Sequence, residues 1–431
     1  MFKIKNIKKS KLAAVAIGTA VKVITTVVCG ALLLTGTYGV VKHTVLPTST
    51  AKTKSMFAYG GGADTGEDVG GSGGSGGSVG DNPVYETETK VIPVGAKYTK
   101  ADGTVLEGNG TNKFPAVPSR NDTYEEGDYI YTYKRAGYGW KVKVKDKTKS
   151  KYGIILTEIA KEPIKDMNST FEDCTALKTS PEIPSGVTNM ISTFWGCSSL
   201  VTAPVIPNGV INMGGAFGGC TSLTVTPIIP NGVTDISSTF ADCTSLTTVL
   251  TIPDSVTDMG STFLNCKALT VAPIIPSRVT NMDSTFVYCS LTTAPTIPNS
   301  VTNMRETFKC CTSLTTAPII PNSVTNMERT FSYCASLTAA PAIPNSVTNM
   351  FFTFENCSSL AVAPVIPNSV TDMCGTFSGC TSLTGTITIN ANPENYYKCF
   401  LDTQSPISLT GSSTKLAELA ATANNGNVTV K

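Results

Sequence analysis

The sequence predicts an α/β-type solenoid of short parallel strands and brief helical turns, preceded by a small β-rich domain and an N-terminal membrane segment. Three observations predict this architecture: a 23-residue period over residues 161–389, period-two alternation within residues 83–160, and a basic start followed by an apolar run. A strict period of this length indicates stacked coils, because one coil cannot bury its apolar face alone whereas neighbouring coils cover it.

The first 35 residues carry the charge pattern of an exported protein. Residues 1–11 contain five lysines and no acidic residue, and residues 12–35 are mostly apolar and interrupted by Lys22. Basic flanks stay on the cytoplasmic side, so we expect a cytoplasmic basic segment followed by a transmembrane anchor or a cleaved signal peptide. The first alternative predicts a single-pass cell-surface protein with an extracellular C-terminus, and the second predicts a secreted protein.

Residues 36–82 form a predicted flexible Gly/Ser linker. Their stretch GGGADTGEDVGGSGGSGGSVGD has too few apolar residues to bury a core and is typical of a tether. A phosphate-binding loop is not indicated, because no strand precedes these glycines and no Lys-Ser or Lys-Thr pair follows them.

Residues 83–160 have the pattern of a small β-rich domain. Ala101-Asp102-Gly103 predicts one hairpin turn, and DYIYTYKR, AGYG and WKVKVKDK in succession predict a second hairpin. In the second hairpin two faces are predicted to be uniform, one carrying Tyr129, Tyr131 and Tyr133 and one carrying Lys141, Lys143, Lys145 and Lys147. The lysines indicate either a solvated edge strand or a basic stripe that contacts an anionic wall polymer or membrane surface.

Ten repeats occupy residues 161–389, with a period of 23 residues and one copy of 22. Each contains a Met (once Ile), then a Phe four residues later, then a Cys three residues after that. We number the coils 1–10 by these cysteines, which are Cys174, Cys197, Cys220, Cys243, Cys266, Cys289, Cys311, Cys334, Cys357 and Cys380. Coil 9 reads LTAAPAIPNSVTNMFFTFENCSS, where Leu337 to Ile343 is the predicted strand and Asn349 the predicted N-cap of the helical turn.

The cysteine column and the end of the chain complete the structural prediction. We expect buried free thiols, because metal ligands must converge on a point and this column is a line. Disulfides between neighbours are the alternative, although a column has poor geometry for them. The repeat pattern fails from Ile387, so residues 390–431 are predicted to cap the last coil.

Composition argues against several classes of function. The only histidine, His43, lies in the linker, which removes Ser-His and Cys-His nucleophiles and histidine zinc sites from the folded part. The net charge is +2 although the first 22 residues alone hold six lysines, so the remainder is acidic and no nucleic-acid partner is expected. We expect no metal, no cofactor and no enzymatic activity, since a glycosidase needs two carboxylates about 5–10 Å apart in a cleft.

The repeat unit resembles the BspA-like leucine-rich repeats of bacterial surface proteins. In coil 7, SLTTAPTIPNSVTNM followed after Arg305 by ETFKCC carries the Leu, Ile, Pro, Val, Phe and Cys anchors in the order of that family. An additional Ala-Pro in the strand and Thr before Phe depart from the family pattern. The resemblance implies a leucine-rich-repeat solenoid in a surface protein, often an adhesin for host matrix proteins or other cells, and it supplies no catalytic residues.

The repeats also indicate where a ligand binds, because columns that vary between coils are not required for packing. The varied positions are the two after each Met and the two after each Phe. Large or charged side chains there are the candidate ligand-binding residues: Trp195, Tyr288, Arg305, Glu306, Lys309, Glu328, Arg329, Tyr333, Phe351 and Phe352. The stretch from Leu to Ile is the alternative site, and drift without a ligand is the alternative explanation of the variation.

Two functions follow as expectations. The first is an exported cell-surface binding or adhesion module for host or neighbouring-cell macromolecules, whose ligand is an extracellular protein or glycan. The second is a structural or self-associating surface protein. The membrane is an additional partner through residues 12–35 if that segment is not cleaved.

Overall fold

The computed structural model describes residues 90–431. The predicted basic segment 1–11, membrane segment 12–35 and linker 36–82 lie outside the described residues. Between residues 90 and 431, no helix has both the length and the apolarity needed to cross a membrane. One hydrophobic core extends without a break from Ile92 to Val428. The β-rich region, the coils and the C-terminal region therefore form one folded unit.

The β-rich region is a seven-stranded sheet with the order β2-β1-β3-β4-β5-β7-β6. Both predicted hairpins are present, since β1 pairs antiparallel with β2 and β4 pairs antiparallel with β5. Tyr129, Tyr131 and Tyr133 are all buried on one face, as the period of two predicts. The strands are β1 (Lys97–Thr99), β2 (Val105–Glu107), β3 (Thr123–Glu126), β4 (Tyr129–Arg135), β5 (Gly139–Val144), β6 (Glu158–Ile159) and β7 (Glu162–Asp166).

The lysine-bearing strand β5 is not at an edge, so the edge-strand interpretation is wrong. It lies between β4 and β7, and its pairing with β7 is parallel. The lysines are also partly neutralised: Lys145 lies 3.6 Å from Glu125 and Lys147 lies 3.9 Å from Asp173. Ion pairing reduces the charge that this stripe offers to an anionic polymer.

Strand β7 joins the sheet to the coils. Its last residue, Asp166, precedes the Met of coil 1 and forms a parallel bridge with Asn189 of coil 2. The same bridge then repeats from coil to coil as far as Asn395. The β-rich region therefore covers the exposed apolar face of coil 1, and it is the N-terminal cap that a stack of coils requires.

The coils differ from the prediction in two respects. The segment between each Met and Cys is a non-helical turn hydrogen-bonded to the next coil; in coil 2, the N–H groups of Met190, Ser192 and Phe194 donate to coil 3 over 2.8–3.1 Å. The continuous parallel ladder runs through the Asn column, whereas the Leu-to-Ile stretches of coils 2–10 form only scattered single bridges among themselves. Prolines explain the second difference, since they have no N–H to donate.

The predicted N-cap role of the Asn column is wrong because no helix follows it, and its side chain forms an Asx turn instead. The side-chain oxygen of Asn303 accepts the N–H of Arg305, two residues later, at 3.1 Å. Its amide donates to Asn281 in the preceding coil at 3.1 Å. The Asx turn starts the non-helical turn in coils 1–10. The amide link to the preceding coil is also made by Asn189, Asn281 and Asn395.

The core consists of stacked columns. The Phe rings stack nearly parallel from Phe171 to Phe400, with centroids 5.2–5.8 Å apart. The cysteines beside them are free and buried. Each thiol from Cys197 onward donates to the carbonyl of the Phe in the preceding coil, as Cys197 does to Phe171 at 3.1 Å. Burial raises the pKa of Cys197 to about 12, so the thiols stay protonated at neutral pH.

The coil geometry continues beyond the point where the sequence pattern fails. An eleventh coil places Phe400 under Phe377, and Thr403 replaces the cysteine with its hydroxyl donating to Phe400. A three-stranded parallel sheet and one short helix complete this end of the chain, and the N–H of Phe400 donates to the hydroxyl of Thr422 after the helix at 3.0 Å. The elements are β8 (Gly385–Thr388), β9 (Ile407–Thr410), α1 (Leu416–Ala420) and β10 (Val428–Val430).

Candidate functional site

Nine of the ten candidate residues come together on coils 6–9, on the turn between the Asn column and the Cys column. We call this surface the varied patch. It also includes Asp283, Cys310 and Glu355, which occupy the same columns. These three residues are absent from the candidates chosen from the sequence, although column position identifies them: Asp283 and Cys310 have short side chains, and Glu355 has the same side chain as the chosen Glu306 and Glu328.

An ion-pair network crosses coils 6–8 in the varied patch. The Arg305 guanidinium lies 3.3 Å from Asp283 in the coil before it and 3.5 Å from Glu328 in the coil after it. Glu328 also contacts Arg329 at 3.5 Å. Partial burial alone lowers the pKa of Arg305, but the surrounding carboxylates outweigh this effect and raise its pKa. Because the side chain stays charged and is held from both sides, it has a fixed orientation.

A second ion pair, between Lys309 and Glu306, extends the network within coil 7 at 3.1 Å. With Glu355, which accepts a hydrogen bond from Ser332 at 2.9 Å, the patch contains four acidic and three basic side chains. The two signs nearly cancel. A ligand of high uniform charge gains little from such a surface, whereas a mixed polar ligand finds both donors and acceptors.

The aromatic part of the varied patch lies beside the network. The guanidinium of Arg329 sits 5.0 Å from the ring centroid of Phe351 and 5.3 Å from that of Phe352, which is a cation–π arrangement. The two rings pack edge to face at 4.6 Å. Phe352 lies against Gly375 of coil 10, where an added Cβ would come within 2.3 Å of the ring. A side chain at 375 would therefore displace this aromatic pair.

Tyr288, Cys310 and Tyr333 occupy the same column in coils 6, 7 and 8. Tyr288 and Tyr333 are 52% and 45% exposed, although each is a large aromatic side chain. The Cys310 thiol beside Tyr288 raises the pKa of that phenol. Burial raises the pKa of Cys310 itself. The column therefore presents two exposed phenol rings with a thiol between them.

Trp195 does not belong to the varied patch. It lies in coil 2 and covers Gly215 and Gly218 of coil 3, where an added Cβ would meet its ring at 3.2 Å and 2.3 Å. The ring thus fills space that two glycines leave open. This contact explains Trp195 as a packing residue on the outside of the stack.

The backbone of the varied patch distinguishes it from the other coils. The second residue after each Met and the second after each Phe have positive φ in the coils. In the other coils these positions hold Ser, Gly, Asp or Asn, except for Lys398 in coil 11. In coils 6–9 they also hold larger side chains, which are Tyr288 (φ 61), Glu306 (φ 53), Arg329 (φ 50), Tyr333 (φ 62) and Phe352 (φ 52). A side chain in this conformation costs about 1–2 kcal/mol per residue, and bulky ones are rare there. Packing does not require these side chains, because other coils do without them.

The alternative site, the stretch from Leu to Ile in each coil, forms a separate surface that we call the proline face. It comprises the seven-residue segments from Leu200–Ile206 in coil 3 to Leu383–Ile389 in coil 11, and none of them contains a charged residue. Grooves of about 330–680 Å³ separate neighbouring segments and are lined mainly by Pro, Ile and Ala.

Metal-binding geometry is not found in the part of the chain that the structure describes. No three His, Cys, Asp or Glu residues among residues 90–431 come together as a metal site would require. The Asp side chains of the Asn column instead accept backbone N–H groups, as Asp258 does from Gly260 at 2.8 Å.

Comparison with known proteins identifies the repeat. The family described as "BspA type Leucine rich repeat region" matches residues 163–270, 214–338 and 280–407, which together cover more than half of the chain. The chain belongs to the BspA-type leucine-rich-repeat family. A second family, of unknown function, matches residues 1–61. No curated protein matches the chain.

Two solved structures are similar to this chain. A leucine rich cell surface protein from Faecalibacterium prausnitzii A2-165 is 23% identical, with a TM-score of 0.44, and the match covers 72% of this chain and 94% of that one. A leucine-rich repeat protein from Bacteroides ovatus ATCC 8483 is 20% identical, with a TM-score of 0.35, covering 71% and 98%.

Proposed function

We propose that this protein is exported to the cell surface and acts there as a non-enzymatic binding module for an extracellular protein or glycan, with the varied patch as its contact surface. The observation that carries the proposal is the clustering of bulky residues at positive φ in coils 6–9. Backbone strain that packing does not require is typical of functional surfaces.

The chemistry of the varied patch supports binding rather than catalysis. Its exposed tyrosines, Phe351 and Phe352, and the braced Arg305 and Arg329 are the residue types that dominate contact surfaces. Asp283, Glu306 and Glu328 are each paired with an arginine or lysine. The oxygens of these carboxylates therefore already have cationic partners within the protein.

A binding screen of the purified segment 83–431 tests the proposal. The panel contains matrix proteins, mucins, glycans and wall polymers. The patch variant replaces five side chains with Ala, at Arg305, Arg329, Tyr333, Phe351 and Phe352. The matched control replaces two exposed tyrosines outside the patch, Tyr138 and Tyr397, with Ala. Circular dichroism checks that both variants keep the native fold.

We expect saturable binding to one class of ligand, weakened at least tenfold (about 1.4 kcal/mol) in the patch variant and unchanged in the control. Equal affinity of the native segment and the patch variant would contradict the proposed location. Absence of binding to every class would contradict the proposed function. The second candidate function, self-association, is favoured by a different surface, the proline face.

A further inference from the structure

The proline face carries an apolar strip that the proposed ligand site does not use. Its most exposed column is the residue after each proline. Ile274 and Ile319 are both 90% exposed, and Val205 is 88% exposed. Ten large apolar residues of the face are exposed: Val201, Val205, Val225, Ile228, Leu250, Val271, Ile274, Ile319, Val362 and Val365. An isolated exposed isoleucine is ordinary, but a strip that recurs in six of the eight coils from coil 3 to coil 10 marks an interaction surface.

The strip is large enough for a stable interface. Covering these ten side chains, with the Pro, Ala and Thr residues between them, removes roughly 800 Å² per copy, which is the amount that each partner buries in a standard interface. The absence of charge from Leu200 to Ile389 in these segments means that neither like-charge repulsion nor the desolvation of ions opposes such contact. The charged residues of the coils lie on other stretches, including the varied patch.

The relief of the proline face indicates what covers it. Side chains such as Ile274 and Ile319 project as knobs, and grooves of about 390 Å³ and 680 Å³ lie on either side of the Pro273–Ile275 segment. Knobs and grooves alternate with the same period: from coil 4 to coil 10 the knobs Ile228, Ile274, Ile319 and Val365 occupy every second coil, and Thr251, Thr296 and Ala342 in the coils between them line the grooves, so both repeat at roughly 10 Å, which is two coil spacings. A surface with that same period is present on a second copy of this chain.

We propose that the proline face binds the proline face of a second copy, side by side, with the knobs of each copy in the grooves of the other. Both copies use the same surface, so the contact is isologous and closes as a two-fold dimer. The β-rich region covers one end of the stack and α1 with β10 covers the other. Pairing through the sides therefore leaves the ends, and the varied patch of both copies, uncovered.

Sedimentation velocity and light scattering over a range of concentrations test this proposal with segment 83–431, which contains the whole described core. One variant carries Lys at three knobs (Ile228→Lys, Ile274→Lys and Ile319→Lys), and a second carries Glu at the same positions. The matched control is Ile154→Lys, because Ile154 is 88% exposed but lies in the β-rich region.

The native segment and the Ile154→Lys control are expected to approach twice the monomer mass as concentration rises. Each triple variant alone is expected to stay monomeric. An equimolar mixture of the Lys and Glu variants is expected to recover the dimer, in whatever register the two strips meet, because opposite charges then face each other. The same mixture in high salt should dissociate.

Three outcomes would overturn the proposal: a native segment that stays monomeric at all concentrations, triple variants that dimerise like the control, or a mixture that stays monomeric. A monomeric native segment whose ligand binding falls in the triple variants would assign the face to a different partner. The dimerisation measurement is independent of the proposed ligand binding. A variant that loses dimerisation and keeps ligand binding, or one that loses ligand binding and keeps dimerisation, shows that the proline face and the varied patch act separately.

Discussion

The stacked Phe column makes a quantitative prediction about the energy of an interior coil. Phe286 is fully buried and stacks on Phe263 at 5.7 Å and on Phe308 at 5.8 Å. Phe400 is equally buried but, within the described residues, has one ring partner, Phe377 at 5.5 Å. Replacement by Leu removes two aromatic pairs in the first case and one in the second.

Each aromatic pair contributes about 0.5–1.5 kcal/mol beyond burial, and repacking around a smaller side chain costs about 1 kcal/mol more. We therefore expect Phe286→Leu to lower the free energy of unfolding by about 2–4 kcal/mol. Phe400→Leu should lower it by about 0.5–1.5 kcal/mol less than that. Met259→Ile is the control, because Ile236 occupies the same column in coil 4, and it should cost under about 1.5 kcal/mol.

Urea unfolding of segment 83–431 measures the free energy of unfolding of the three variants. The unfolding transition is monitored by circular dichroism and by tyrosine fluorescence. Coincident transitions in the two signals validate the comparison. Equal losses for the two Phe variants would refute the assignment of stability to ring stacking between coils. If Phe400→Leu lowers the free energy of unfolding more than Phe286→Leu does, the C-terminal cap limits the stability of the stack.

Two further outcomes are expected. Iodoacetamide followed by mass spectrometry should label Cys310 of the native segment 83–431 and leave the buried column unlabelled until urea is added, since the reagent can reach the partly exposed Cys310 and cannot reach the column; prompt labelling of Cys334 would contradict this. Lys149 and the N–H of Gly153 hold the pKa of Asp128 below its usual value of about 3.9. The ionised Asp128 therefore stabilises the fold by about 1 kcal/mol above about pH 3.9, and this stabilisation is lost as the pH falls through the lower pKa of the folded state. In urea unfolding, Asp128→Asn should lower the free energy of unfolding at pH 7, and the variant should lose less of that free energy between pH 7 and pH 3 than the native segment does. A variant with the same pH dependence as the native segment would contradict this expectation.

The core was predictable from sequence because its period is strict. The Phe and Cys columns are buried because each position meets its own copy in the next coil. The hairpins were predictable because alternation and turn residues are local signals. The non-helical turn was not, because its N–H groups find their partners in the next coil, 22 residues away for Met190 and Asn212.

Long-range pairing also explains the other differences. The Lys141 strand alternates like an edge strand, but β7 follows it later in the chain and pairs with it in parallel. Coil 11 keeps Asn395 and Phe400 in register, whereas Tyr396 and Thr403 replace Met and Cys, so a search for four anchors ends one coil early. Column variation located the varied patch, but φ values cannot be seen in a sequence, and they distinguish Tyr333 from Trp195.

The 22-residue copy shows how such a chain can change its length. The missing residue falls between Cys289 and Leu291, in the outer turn, and the Met, Phe and Asn columns continue unchanged on both sides. Each coil contacts only its neighbours, so duplication or loss of a whole coil needs no adjustment at either cap. Gene-level recombination between near-identical repeats can therefore shift the varied patch along the stack, or create a second patch, in steps of one coil.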